Sequence, residues 1–365
     1  MKKSQGNLPC DFFIQSDKIS FPKRFGENMT ITIRDVAKAL NLSITTVSRA
    51  LDGYDDVAKE TRELVISTAH QMGYTPNRAA RQLRRQRSET IGYILPTEKP
   101  QFADAFYSEF IAGLGDMAAL SKFDLLVSAA SPDSAEERAL YERWVQGRKV
   151  DGIVLNRTRL QDWRIQFLSA QKIPFVALER SLLPVEFIGV EADSYQGFLD
   201  LMAYLTGRGH NRIAYIGAPP ELKIEYDRHN GYQAGLKAAS IEPDPALIVH
   251  ADLTPEGGYQ VAGHLLNQSP QPTAIVCVND LTAIGAMHAA HERGLKVGRD
   301  IAIAGFDGIA DSAHTQPPLT TLDQPVYAIA RQLVTMLLAL INGEPLVERQ
   351  VKIEPKLLIR ESTGK

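Results

Sequence analysis

From Thr90 onward, short apolar runs alternate with segments of helical periodicity, and no other feature restricts the fold as strongly. The runs are IGYIL (91–95), FDLLVSAA (123–130), DGIVLN (151–156), PFVAL (174–178), RIAYIG (212–217), ALIVHAD (246–252), AIVCVND (274–280) and IAIAGFD (301–307). Helical segments at 107–121, 194–207, 231–239, 257–267 and 281–293 fall between them. Nearly continuous apolar strands separated by helices must bury both faces, so the alternation predicts parallel sheets covered on both sides. Some eight strands over this length point to two sheets. Ligands in such folds bind beyond the carboxyl ends of the strands, which marks the residues that follow each run as pocket candidates.

The preceding stretch, TIRDVAKALNLSITTVSRALDG (32–53), reads as two short helices broken by a tight turn. Thr32 with Asp35 makes a capping box, and Val36, Ala37 and Leu40 form one apolar face. The pattern breaks at Asn41-Leu42, and Ser43 caps a second helix with Val47, Ala50 and Leu51 inward. The outer face of that helix carries small hydroxyls and one arginine. This layout fits a helix-turn-helix whose second helix enters the major groove of DNA, and equally a plain helical hairpin with solvated hydroxyls. A third amphipathic helix over 59–72 completes a small core. The segment YTPNRAARQLRRQRS then has good helix formers but little apolar face, so it is either a linker or a helix that folds on binding.

Charge separates along the chain. Residues 30–88 hold ten Lys and Arg against six Asp and Glu, and residues 1–29 hold five against three, within a net charge of −3 for all 365 residues. A basic N-terminal module on an acidic body is what a chain presents when one part alone approaches phosphates. No run of 18 apolar residues could span a membrane, and no secretory signal is legible. Cys10 and Cys277 are the two cysteines, the latter within an apolar run. A structural disulfide is not expected, which fits a cytoplasmic protein. Residues 1–28 lack periodicity and read as a disordered extension, with Met29 a candidate natural start.

Seven stretches carry a family resemblance: TIRDVAKALNLSITTVSRALDG, ETRELV...MGYTPNRAARQLR, RGHNRIAYIG, RHNGYQAGL, NDLTAIGAMHAAHERGLKVGRDIAIAGFDG, PPLTTLDQP and LLIRES. In this order and spacing the chain resembles the LacI/GalR family of bacterial transcription regulators. The resemblance implies an α/β protein: an N-terminal three-helix helix-turn-helix headpiece at 29–75, a hinge helix at 76–88, and a two-lobed, periplasmic-binding-protein-like core of parallel sheets flanked by helices at 89–365. It implies a homodimeric repressor of double-stranded operator DNA, released by a small sugar-like effector bound between the lobes. A corepressor-dependent regulator sensing a purine or phosphorylated metabolite stays open, as does a transport-type sugar-binding protein. No leucine-heptad tail follows LLIREST, so a dimer is expected rather than a tetramer built on one.

By position the resemblance assigns Ser43, Ile44, Thr45, Thr46, Ser48 and Arg49 to bases and nearby phosphates. Leu83 falls where relatives wedge a leucine into the minor groove, with Asn77 and Ala80 beside it. Phe106, Glu179, Arg228, Asp280 and Gln324 are placed around the effector cleft, where Asp280, Glu179 and Arg228 would pair with hydroxyls. Asp280 also suits the N-cap of the following helix, Arg228 a solvated loop, and Asp193 a helix cap. Leu253 stands where relatives often stack an aromatic ring. Ala58 replaces the usual serine cap of the third helix, a loss of about 1 kcal/mol. Neither an enzyme nor a metal or organic cofactor is expected. Gly113, Gly115 and Ala118 match a dinucleotide fingerprint only formally, because they lie in a helical stretch. His288, His291 and Glu292 read as surface residues, and His210 as a turn.

Overall fold

The computed structural model describes residues 31–75, 87–97 and 104–364. The chain divides into two compact units, residues 1–86 and 87–365. The proposed extension 1–28, the start at Met29, and the hinge positions Asn77, Ala80 and Leu83 lie outside the described residues.

In the first unit, α1 (Ile33–Leu40), α2 (Ile44–Leu51) and α3 (Lys59–Gln71) enclose Val36, Ala37, Val47, Ala50, Val57, Val65 and Ala69. The backbone N–H and Oγ1 of Thr32 both donate to Asp35 Oδ2, at 2.9 and 2.7 Å. These bonds hold the Asp35 carboxyl below its ordinary range. Asn41 takes the left-handed conformation (φ 49°) that turns α1 into α2. Ala58 offers α3 no side-chain cap. Arg62 instead reaches back from α3 to the carbonyl of Tyr54 at 2.7 Å and fixes the loop before it.

The second unit contains, in order, β1 (Thr90–Pro96), α4 (Ala105–Leu120), β2 (Asp124–Ala130), α5 (Ala135–Gln146), β3 (Gly152–Leu155), α6 (Trp163–Ala170), β4 (Phe175–Leu178), β5 (Ile188–Ala192), α7 (Ser194–Gly207), β6 (Ile213–Gly217), α8 (Lys223–Ala238), β7 (Ile248–His250), α9 (Pro255–Leu266), β8 (Ala274–Cys277), α10 (Asp280–Glu292), β9 (Ala302–Asp307), β10 (Thr320–Asp323), α11 (Val326–Asn342), β11 (Gln350–Ile353) and β12 (Lys356–Leu358). They form two six-stranded sheets, β11-β5-β4-β3-β1-β2 and β12-β10-β9-β8-β6-β7. Every pairing is parallel except β10 with β12. Each sheet with its helices is one lobe. The chain crosses between lobes after β5, after β10 and after β11, and α11 packs into the first lobe's core through Val326, Ile329, Leu333 and Leu337.

All eight apolar runs became strands. The four strands that the alternation missed are β5, β10, β11 and β12. β10 is the polar sequence TTLD, and β11 and β12 are short and half-exposed, so hydrogen bonding to a neighbour decides their state rather than apolar burial. The helix expected at 231–239 is the end of α8, which starts eight residues earlier. Gly113 sits where α4 meets α11: a Cβ there would lie 2.5 Å from Tyr327 O and 2.8 Å from Ala330 Cβ. Close helix packing therefore accounts for this glycine.

The chain enters the core through fixed contacts. Arg87 donates to the Ile341 carbonyl at 2.7 Å and to Asn342 at 3.0 Å, neutralising the C-terminal end of α11. Asp151 accepts from the backbone N–H groups of Ser88 and Glu89 at 2.6 and 2.8 Å. Arg87, grouped with the basic hinge segment on sequence, is thus part of the core. Among the described residues no helix is long and apolar enough to cross a membrane. Cys277 is free and buried, and burial pushes its thiol up; Cys10 lies outside the described residues.

Replacing Gly113 with Ala should lower the core's unfolding free energy by about 2 kcal/mol through overpacking of the α4–α11 seam. Urea denaturation followed by tryptophan fluorescence reads the change; an unmoved midpoint would show that the seam has slack.

Candidate functional site

The carboxyl ends of both sheets open on one cavity of about 480 Å³. The first lobe contributes Asp104, Phe106 and Tyr107 at the start of α4, Asn156 and Arg157 after β3, and Glu179 after β4. The second contributes Ile224 and Arg228 of α8, Asp252 and Leu253 after β7, Asn279 after β8, and Asp307 at the end of β9. Gln324 comes from the second crossing. Four of these side chains stand on backbone in the left-handed region: Arg157 (φ 47°), Glu179 (71°), Leu253 (68°) and Asp307 (117°). Such conformations in non-glycine residues persist where the surrounding structure imposes them, and they gather at functional sites.

Arg228 is the central cation. Its guanidinium lies 3.7 Å above the Phe306 ring, with Nε donating to Ser194 Oγ at 3.3 Å and one terminal nitrogen to the Val278 carbonyl. The other terminal nitrogen is 4.0 Å from Asp307. Gln324 Nε2 donates to Asp307 Oδ1 at 2.8 Å. Burial pushes Asp307 up to about 7, against the pull of Arg228. Glu179 is pushed by burial up to about 8, again opposed by Arg228. Burial likewise raises Asp104, the cap of α4. Among the described residues, three atoms here have no hydrogen-bond partner: Glu179 Oε2, Asn156 Oδ1 and Arg157 Nε. Two acceptors and a donor left unpaired in a cavity are costly unless a polar ligand meets them.

A buried ionic network holds the first lobe's part of the site. Arg164 donates to Asp162 at 2.6 and 2.9 Å and to the carbonyls of Asn156 and Arg157, both at 3.1 Å. Burial alone would raise Asp162, but Arg164 and the Arg159 N–H hold its carboxyl low. The network is completed by Glu137, 3.5 Å from Arg159 and 3.6 Å from Arg164.

In the other unit, α2 presents Ser43, Ile44, Thr45 and Arg49 exposed, with Thr46 and Ser48 half-buried. Ser43 Oγ accepts from Thr46 N–H at 3.0 Å and lies 2.8 Å from its hydroxyl, so the cap fixes Thr46 at the helix start. Arg49 pairs with Asp56 at 2.6 Å beside the Tyr54 ring. Ile44, 45% exposed, is a large apolar side chain left open to solvent at the start of the helix.

Residues 32–77 match the family model of bacterial regulatory proteins of the lacI family, and residues 202–363 that of a periplasmic binding protein-like domain. The regulator AglR of Rhizobium meliloti (strain 1021) is 32% identical over 340 residues, covering 92% of this chain and 95% of its own. The repressor CytR of Escherichia coli (strain K12) is 33% identical over 334 residues, covering 91% and 96%. The chain belongs to the LacI family. Among solved structures, the lac repressor dimer bound to operator and the anti-inducer ONPF is similar with a TM-score of 0.80 at 28% identity, covering 92% of this chain and all of that one. The complex of the regulator CelR with cellobiose gives 0.71 at 29%, covering 91% and 99%. This LacI-family chain is a DNA-binding transcription regulator with a small-molecule cavity between the lobes of its core.

Of the five cleft residues named on sequence, the structure brings Phe106, Glu179, Arg228 and Gln324 to this cavity. Asp280 is the correction. It does not line the cavity, and the cap of α10 is Asn279, whose side chain accepts from Thr282 N–H at 2.9 Å. Asp280 is fully buried, accepting from Ile309 N–H at 2.9 Å and Thr321 Oγ1 at 2.6 Å, in space left by Gly305. One step along a helix start rotates a side chain by about 100°, enough to turn it from ligand to sheet. Arg228 is likewise a buried helical residue, not a loop arginine. Asp193 does cap α7, accepting from Gln196 N–H at 3.2 Å. Asp104, Asn156, Arg157, Asp252 and Asp307 were not singled out on sequence, although Asn156, Asp252 and Asp307 each end an apolar run.

Asp280→Ala should cost the core about 2 kcal/mol by stranding the Ile309 N–H and the Thr321 hydroxyl, whereas Asp280→Asn, which retains an acceptor, should cost less. Thermal denaturation of both variants decides it; equal losses would mean that the carboxyl's bonds do not set the stability.

Proposed function

We propose that the chain is a homodimeric cytoplasmic repressor that holds a palindromic operator with α2 and leaves it when an uncharged, polyhydroxylated ligand of about disaccharide size enters the cleft. The unpartnered Glu179 Oε2, Asn156 Oδ1 and Arg157 Nε carry this reading, because sugar hydroxyls both donate and accept. The wall's charge supports it: Asp104, Glu179, Asp252, Glu256 and Asp307 face Arg157 and Arg228 alone. Even with Glu179 and Asp307 pushed toward their neutral forms by burial, Asp104, Asp252 and Glu256 offset the two arginines, so a phosphorylated metabolite would meet no surplus of positive charge, which argues against the phosphate-sensing alternative. Phe106 adds an aromatic side chain to the wall, and the volume falls in the range of small-ligand sites. On α2, Ile44, Thr45 and Thr46 would read base edges, with Ser43, Ser48 and Arg49 at nearby bases or phosphates. Asn77, Ala80 and Leu83 would contact the minor groove as a hinge. Effector and operator then favour different states of the protein and weaken each other reciprocally.

A mobility-shift titration with a palindromic operator tests the sign and the class together. Neutral disaccharides that raise the melting temperature should release the operator, and sugar phosphates should do neither. A ligand that tightens DNA binding would make the protein corepressor-dependent instead.

The cleft carboxyls give an independent check. Glu179 and Asp307 titrate near 8 and 7 in the fold but near 4 when unfolded, so the native state binds more protons between these values. Stability is fullest on the acid side of this window and falls as pH rises through it. The melting temperature of the unliganded protein should drop from pH 6 to pH 8, and Glu179→Gln should flatten the slope; an unchanged slope would remove Glu179 as its source.

A further inference from the structure

The helix that carries Arg228 starts without a cap of its own. Leu222 precedes the first turn of α8 and offers no side-chain acceptor, whereas α7, α9 and α10 in the same lobe are capped by the side chains of Asp193, Thr254 and Asn279. A helix leaves its first N–H groups without intrahelical partners. At Lys223 the acceptor comes from the opposite lobe: its N–H donates to the Thr158 carbonyl at 2.9 Å. In return the Leu160 N–H donates to the Glu221 carbonyl at 2.8 Å, and the two segments form an antiparallel bridge centred on Arg159 and Leu222. The bridge lies beside the cavity, between Arg157 and Ile224, which both line it.

Each side of the bridge is anchored in its own lobe. On the first, Thr158 Oγ1 donates to the Leu178 carbonyl at 2.6 Å, and the Leu160 carbonyl accepts from Leu182 N–H at 3.0 Å and Ser181 Oγ at 2.9 Å. The Arg159 side chain is sunk among Asp133, Glu137 and Asp162. On the second, Leu222 is buried and Lys223 pairs with Asp227 one turn along α8.

We infer that residues 158–160 and 221–223 form an interlobe clasp, and that Thr158 and Leu160 are positioning residues that hold Ile224 and Arg228 in the cleft by pinning the start of α8 from the opposite lobe. Separating the lobes removes both backbone bonds at once and leaves the first N–H of α8, that of Lys223, without its acceptor. Opening of the cleft and loosening of the Arg228 helix are then a single event. The clasp's part in effector retention rests on the effector reading above; the clasp itself does not.

Hydrogen–deuterium exchange on the full-length protein tests it without a ligand. Leu160→Pro removes one donor in the first lobe, yet amides 223–226 in the second lobe should exchange about tenfold faster, while α7 stays unchanged. Proline suits the first position of a helix, so Lys223→Pro spares α8 while deleting the clasp donor. It should speed exchange at the Leu160 amide about tenfold, and Lys223→Ala, which loses the ion pair but keeps the N–H, should not. Unchanged exchange at 223–226 in Leu160→Pro, or equal effects of Lys223→Pro and Lys223→Ala at Leu160, would overturn the clasp. Should Leu160→Pro fail to fold, the Lys223 pair decides alone. Exchange as expected in a protein that answers to no sugar would leave the clasp standing and sink the effector reading.

Discussion

Three crossings of the backbone between two parallel sheets determine what the core can do. Each is short: one residue separates β5 from α7, and two separate β11 from β12. Two of them are bound together, since Asp193 N–H donates to the Ile353 carbonyl at 2.8 Å and Lys352 pairs with Asp193 at 2.7 Å. Lobes joined by so little chain cannot drift apart, but they can rotate about the junction. The same topology turns the carboxyl ends of both sheets toward a common space, so the cleft follows from the connectivity.

That cleft is costly to the fold. Four non-glycine residues in left-handed backbone cost of order 1–3 kcal/mol each, and Glu179 and Asp307 are carboxyls deprived of water. The strain persists because each such residue ends a strand or follows one, where sheet and helices impose the direction of the chain. Apolar cores on both sides of each sheet, among them Ile91, Val154 and Val176 in the first lobe and Ile275, Phe306 and Leu322 in the second, offset the cost. Stability is therefore concentrated in the lobes and ceded at the surface between them. A ligand that satisfies Glu179, Asn156 and Arg157 returns part of it, which is how binding can alter the balance between lobe arrangements.

Sequence made the central strands and the headpiece legible because both are written in burial. Runs such as AIVC and IAIAGFD have no reading except a strand covered on both faces, and Thr32, Asp35 and Ser43 mark helix starts by local hydrogen bonding. What stayed hidden depends on partners distant in sequence. β11 and β12 are strands only because β5 and β10 lie beside them. Arg228, placed at the cleft by the resemblance, fell outside the helix expected at 231–239 because Leu222, the residue before α8, offers no side-chain cap to announce the helix start. Asp280 was misassigned for the opposite reason: Asn279, Asp280 and Leu281 follow one strand in succession, and periodicity alone does not say which of them turns inward. The resemblance to relatives named the right element there and the wrong side chain.

The absent cap of α8 bears on how an effector could act at a distance. DNA contact and cleft belong to separate compact units, so a ligand influences the first only through its differential affinity for states of the second. A serine or aspartate at position 222 would accept from the second or third N–H of the helix, as Asp193, Thr254 and Asn279 do in α7, α9 and α10. The first N–H, that of Lys223, is out of reach of such a cap, and its acceptor exists only while Thr158 is close. Two backbone hydrogen bonds and the order of the Arg228 helix thus depend on closure, at the rim of the cavity where a bound ligand would add its own contacts to the same side of the equilibrium. Local stability given up at one helix start becomes a difference between two states, and only such a difference can be passed to a distant site.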